Sequence, residues 1–160
     1  MAEIPESISE FLRGRRIAVA GVSRHTTQPA NAIFRRLKED AGREVIPVNP
    51  TATELEGARC YPDIRSVPGE LDGVLFAAPP SVAPEVVRQC KERGVKRIWF
   101  HRSFGEGSVS EEAVRECERS GIQAIVGGCP MMYCGSVDPF HACMRWWLSL
   151  RGRIRSTTLQ

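Results

Sequence analysis

Apolar positions along the chain change their spacing from one stretch to the next. Ile4, Ile8, Phe11 and Leu12 share one helix face, so a short helix is expected within residues 1–15. Ile17-Ala18-Val19-Ala20 is an unbroken run of small apolar residues, the pattern of a central strand covered on both faces. Gly21 to Thr27 reads as a turn. Pro29 suits a first helical position, and Ala30, Ile33, Phe34 and Leu37 form the stripe of a helix that Gly42 is expected to end.

The alternation continues. Val45 to Val48 reads as a second strand closed by Asn49-Pro50, with Pro47 pointing to an edge or irregular position because it lacks an amide donor. A loop through Tyr61-Pro62 and Pro68-Gly69 leads to a third strand, Gly73 to Ala77. Ser81 is the expected N-cap of a helix carrying Val82, Val86, Val87 and Cys90 as far as Gly94. Val95 to Phe100 is the fourth strand. Ser108 with Glu111 fits a capping box for a helix ending at Gly121, and Ile122 to Val126 is the fifth strand. A last helix is expected from Asp138-Pro139, burying Phe140, Cys143, Met144, Trp147 and Leu148. Strands alternating with crossover helices predict one α/β domain over residues 1–160, a Rossmann-like, doubly wound and mostly parallel five-stranded sheet, with a helical extension over 127–160.

Open parallel sheets bind ligands beyond the carboxyl ends of their strands, where the strand order switches. Those ends here are Gly21-Val22-Ser23-Arg24, Asn49-Pro50, Ala78-Pro79-Pro80-Ser81, His101-Arg102-Ser103 and Gly127-Gly128-Cys129. Gly21 permits a sharp turn, and the amides of Val22, Ser23 and Arg24, backed by a helix dipole, can face an anion. Arg24 and His25 add side-chain charge. An ordinary strand–helix turn fits these residues as well, because one glycine stands where a dinucleotide fingerprint has three. An NAD site also expects an acid closing the second strand to grip the ribose. Asn49-Pro50 stands there and the next acid is Glu54. That suits either a phosphorylated ribose, such as the ribose 3′-phosphate of coenzyme A, or an adenosine bound by shape and backbone contacts.

Composition narrows the setting. With 160 residues, 42% hydrophobic and 26% charged, the chain can bury an ordinary core. A net charge of +3 falls short of a dedicated nucleic-acid binder. No uncharged apolar run reaches the roughly 20 residues needed to cross a membrane. Glu3, Glu6 and Glu10 interrupt any leader, so six reduced cysteines in the cytoplasm are expected rather than disulfides.

The segments IAVAGVSR, REVIPVNP, EGARCYPDI, LDGVLFAAPP, VKRIWF and SEEAVRECERSGI, in that order, resemble the CoA-binding domain family of small Rossmann-like proteins. The resemblance implies coenzyme A or an acyl-CoA as the bound cofactor. Gly21, Val22, Ser23 and Arg24 would meet its phosphates, Asn49 and Pro50 would border the adenosine, and Ala78, Pro79 and Pro80 would line the opposite side. That last segment is also similar to a loop of the CoA-binding half of succinyl-CoA synthetase. Many small members carry Phe-Arg where this chain has Ala77-Ala78. A complete ligase needs a phosphorylated histidine and a nucleotide-grasp partner from further domains, so binding without independent catalysis is the expectation.

The tail, GGCPMMYCGSVDPFHACMRWW, resembles the extension of one subgroup of that family. Cys129, Cys134, His141 and Cys143 have poor spacing for zinc and read as packing thiols, with no metal site expected. Cys129 reads first as a buried thiol beside Pro130, and otherwise as a reactive thiolate on the ligand side able to pair with CoA. His141 and Arg145 share a face that is either solvated or turned to the cleft. His101 reads as a structural hydrogen-bonder before a site residue. No catalytic constellation assembles from the sequence. The competing readings are an NAD(P) oxidoreductase and a metal-binding or interaction protein, and one outward indole of Trp146 and Trp147 leaves a homodimer open.

Overall fold

The computed structural model describes residues 4–102 and 107–157. In chain order it has α1 (Glu6–Arg13), β1 (Arg16–Ala20), α2 (Pro29–Lys38), β2 (Glu44–Val48), β3 (Glu54–Leu55), β4 (Ala58–Arg59), β5 (Gly73–Phe76), α3 (Ala83–Glu92), β6 (Arg97–Phe100), α4 (Glu111–Arg119), β7 (Gln123–Val126), α5 (Pro139–Leu150) and β8 (Arg155–Ser156). The main sheet has six strands in the order β2-β1-β5-β6-β7-β8. The first five are parallel and are the five strands expected from the sequence; β8 adds an antiparallel sixth at the β7 edge. Its two residues are too few and too polar to announce a strand.

The sheet is wound on both faces by period-2 alternation. In β1, Ala18 and Ala20 enter the core formed with α3 and α4, while Ile17 and Val19 face the core formed with α1, α2 and α5. On the second face Phe11 of α1 meets the Trp99 ring edge-on at 5.4 Å, and the Trp99 indole donates to the Gly127 carbonyl at 2.8 Å. β2 forms the outer edge, as Pro47 indicated. The Pro47 carbonyl points outward to accept from the Tyr61 amide at 3.2 Å. Its nitrogen shares that direction, so the ladder to β1 loses no hydrogen bond.

Several boundaries differ from expectation. Ser81 lies within a 3-10 turn, Pro80–Val82, and Val82 rather than Ser81 precedes α3. Ser110 caps α4 by accepting from the Ala113 amide, whereas Ser108 is buried. α2 stops at Lys38, ahead of Gly42. The buried face of α5 narrows to Met144 and Leu148. Phe140 and Cys143 are exposed, because α5 meets the core through Met144 and Leu148. The small hairpin β3–β4 turns on Glu56 and Gly57, both at positive φ (52° and 69°), the geometry of a two-residue hairpin loop. Ser103, the last of the fourth strand-end residues, lies outside the described residues.

Candidate functional site

The carboxyl ends of the parallel strands are level. One residue beyond its strand, Gly21 donates to Val48, Ala77 to Ala20, His101 to Phe76 and Gly127 to Phe100, each to the last carbonyl of the neighbouring strand. Numbering only the five parallel strands along the chain gives the order 2-1-3-4-5, whose switch point falls between β1 and β5. Gly21 sits there with φ 115°. A Cβ on it would stand 2.5 Å from the Ala77 carbonyl oxygen, so a side chain is excluded both by conformation and by space.

The loop after Gly21 is held from beneath. Asn31, fully buried on α2, accepts from the Ser23 amide (3.1 Å) and donates to the Ser23 carbonyl (2.8 Å) and to Glu56 (2.7 Å). Glu56 also receives Arg35 at 2.7 Å, and Arg35 reaches the Thr26 carbonyl at 3.1 Å. The hydrogen bonds from Asn31 and then Arg35 hold the Glu56 carboxyl below the usual carboxylate range. On the other side, Asn49 donates to the Val22 carbonyl at 2.9 Å and accepts from the Thr51 amide at 2.9 Å, while Arg24 reaches the Thr51 carbonyl at 2.7 Å. The loop is thereby fixed to α2, to the β3–β4 hairpin and to the end of β2.

The expected site residues therefore divide. Gly21, Ala78 and Pro79 border the open end, Ala78 and Pro79 lining a cleft of about 590 Å³. Arg24 is exposed on the loop. Val22 is fully buried in the core, and Ser23 has committed its amide to Asn31, so these two shape the loop from within. Asn49 serves as a tie between loops with Pro50 exposed beside it, and Pro80 begins the turn into α3 outside the cleft lining. Asn31, Arg35 and Glu56 escaped the sequence reading. Their signal, polar residues on the helix behind the glycine turn, has no fixed spacing to a hairpin 25 residues away from Asn31.

The cleft runs from the α2 N-terminus, Gln28 and Pro29, along the strand ends to His101, Cys129 and His141. No side chain caps α2, which leaves its positive end open. His101 is buried, and desolvation pushes its pKa down to about 4, so it is neutral at physiological pH. His141 turns to the cleft, whereas Arg145 lies over the Tyr133 ring at 5.7 Å. Cys129 is buried in the cleft wall, Cys134 is half-buried and Cys143 is exposed. No group of three or more metal-ligating side chains converges among the described residues. Nor is any helix there long and apolar enough to cross a membrane.

A doubly wound parallel sheet with a glycine turn, an open helix N-terminus and a cleft at the strand-order switch defines a Rossmann-like ligand-binding domain. The chain belongs to the CoA binding domain family, whose sequence pattern matches residues 15–135. It is 35% identical over 94 residues, 58% of its length, to acetate–CoA ligase [ADP-forming] II of Archaeoglobus fulgidus, spanning 14% of that enzyme. Over 98 residues it is 31% identical to YneT of Bacillus subtilis, covering 61% of this chain and 70% of the relative. A solved protein from Pyrococcus horikoshii shares the fold with a TM-score of 0.70 and 29% identity, over 81% of this chain and 93% of that one.

Proposed function

We propose that this chain binds coenzyme A or an acyl-CoA across the carboxyl ends of its parallel strands. It acts as a cytoplasmic binding protein without turnover of its own. The observation that carries the reading is the braced Gly21 turn, which opens onto the uncapped N-terminus of α2 at the head of the cleft. Phosphates gain there from the helix dipole and from the exposed Arg24 and His25. The adenosine lies toward Asn49 and Pro50, and the pantetheine arm follows Ala78 and Pro79 into the cleft. Family membership supports CoA, and Asn49 at the end of β2, where an NAD site carries an acid, supports it over NAD. The exposed Phe140, Trp146 and Leu150 of α5 favour a homodimer in solution.

Thermal shifts with CoA, acetyl-CoA, NAD and NADP test this reading. CoA at about 100 times its dissociation constant stabilises the fold by about 2.7 kcal/mol. A shift with NAD and none with either CoA species overturns it. Arg24→Glu places a negative charge beside the phosphates and is expected to weaken CoA binding at least about tenfold, a loss of roughly 1.4 kcal/mol. An unchanged affinity removes Arg24 from the site.

A further inference from the structure

The far end of the cleft gathers groups that binding alone does not use. Asp138 caps α5 by accepting from the His141 amide at 3.0 Å with one carboxylate oxygen. Its other oxygen stands 2.5 Å from His141 Nδ1. One carboxylate thus fixes both the start of the helix and the orientation of the imidazole. With Nδ1 committed, Nε2 is the ring nitrogen left for a group in the cleft. Cys129 enters the same cleft from the end of β7. Gly127 and Gly128, both at positive φ (91° and 74°), turn the chain so that Cys129 becomes part of the wall. Ile33, Ala77, Pro79 and Met131 supply apolar surface around them. A thiol, an imidazole oriented by a carboxylate and apolar walls are the parts of a nucleophilic acyl-transfer site.

We infer that Cys129 is an acyl acceptor, taking the acyl group of a short-chain acyl-CoA with His141 as its proton acceptor and Asp138 as the residue that positions His141. The inference rests on the CoA reading and goes beyond it. Cys129 Sγ attacks the thioester carbonyl and its proton passes to His141 Nε2. The bond from the carbonyl carbon to the CoA sulfur then breaks, and the proton leaves on the CoA thiol. One thioester is exchanged for another, so no oxidant, reductant or third reactant enters, and the reverse step returns the acyl group to CoA. The chain would hold one acyl group rather than turn it over, which is a carrier's behaviour. Cys143, exposed on α5, lines a separate apolar groove with Phe140, Trp146 and Trp147 and serves as the internal control.

The test incubates the full chain with acetyl-CoA and follows its intact mass, with peptide mapping of the product and a parallel thermal shift with CoA. One acetyl group per chain is expected on Cys129, removable by hydroxylamine and absent from Cys129→Ala. Mapping of the unsubstituted chain locates the group even if that variant folds poorly. His141→Asn is expected to slow its formation about 100-fold. Asp138→Asn keeps a helix cap and is expected to lower the maximal rate while leaving the half-saturating acetyl-CoA concentration unchanged. Acetylation of Cys143 as fast as of Cys129, or no acetyl group on a chain whose melting temperature rises with CoA, overturns the inference and leaves the CoA reading standing. A chain that neither shifts with CoA nor takes the acetyl group overturns both.

Discussion

Asn31 uses both faces of its amide under the Gly21 loop, and its orientation is fixed by its partners. The oxygen must face the Ser23 amide, and the nitrogen must face the Ser23 carbonyl and Glu56. Asn31→Asp keeps the shape but sets a second carboxylate against Glu56 and leaves the Ser23 carbonyl without its donor. A loss of about 2–3 kcal/mol is expected, as for a buried polar group deprived of its partner, measured as a lower urea midpoint. Because the same change frees the loop, CoA affinity should fall with it. His101 acts on stability through pH. Its folded-state value of about 4 lies below the ordinary 6.5, so between those pH values the unfolded chain binds a proton that the folded chain does not. The contribution is complete above about pH 6.5 and is lost as the pH falls toward 4, amounting to about 3 kcal/mol. His101→Asn is expected to flatten urea stability between pH 7 and pH 4.5, and an unchanged slope would assign the acid sensitivity elsewhere.

At the scale of elements, β8 shows how a short strand depends on one glycine in another segment. Gly127 has φ 91°, and a Cβ there would stand 2.4 Å from the Arg153 carbonyl oxygen, where the chain returns to β7. Thr157 completes the docking, donating from its amide to the Ala124 carbonyl and accepting the Ala124 amide on its hydroxyl. Arg155 reaches Glu111 of α4 at 2.6 Å. Gly127→Ala is expected to cost about 3 kcal/mol through backbone strain and clash, and to speed amide exchange along β7. Survival of β7 protection would show that β8 docks without that close approach. This dependence explains what the sequence disclosed. Strands β1, β5, β6 and β7 are continuous apolar runs because helices cover both their faces, and that pattern is local. The β8 pairing and the β3–β4 hairpin are two-residue ladders set by distant partners, so no periodicity carries them. Ser108 and Ser110 compete as caps within three positions, and only the path of the chain decides between them.

Across the whole molecule, the ligand end and the opposite end are built from different chemistry. At the amino ends of the strands Arg16 is bound to Glu44 at 2.6 Å and to the carbonyls of Glu70 and Pro68, a closed set of contacts. At the carboxyl ends the backbone turns away at Gly21, Ala77, His101 and Gly127 and leaves a cleft. The sequence disclosed all four of these turns, as the strand ends that begin at Gly21, Ala78, His101 and Gly127. It left His141 between solvent and cleft, because its direction depends on where α5 crosses the sheet. A ligand spanning the cleft must therefore touch segments from both halves of the chain at once. Saturating CoA is expected to slow amide exchange together in residues 21–32, 77–81 and 128–132 and at the start of α5, while residues 70–73 and 155–157 exchange as before. Joint protection follows from one molecule bridging the α2 N-terminus and the wall that carries Cys129 and His141. Protection limited to α5 would instead place the ligand on the apolar groove of about 290 Å³ between Phe140, Trp146 and Trp147, and would separate CoA binding from the strand ends altogether.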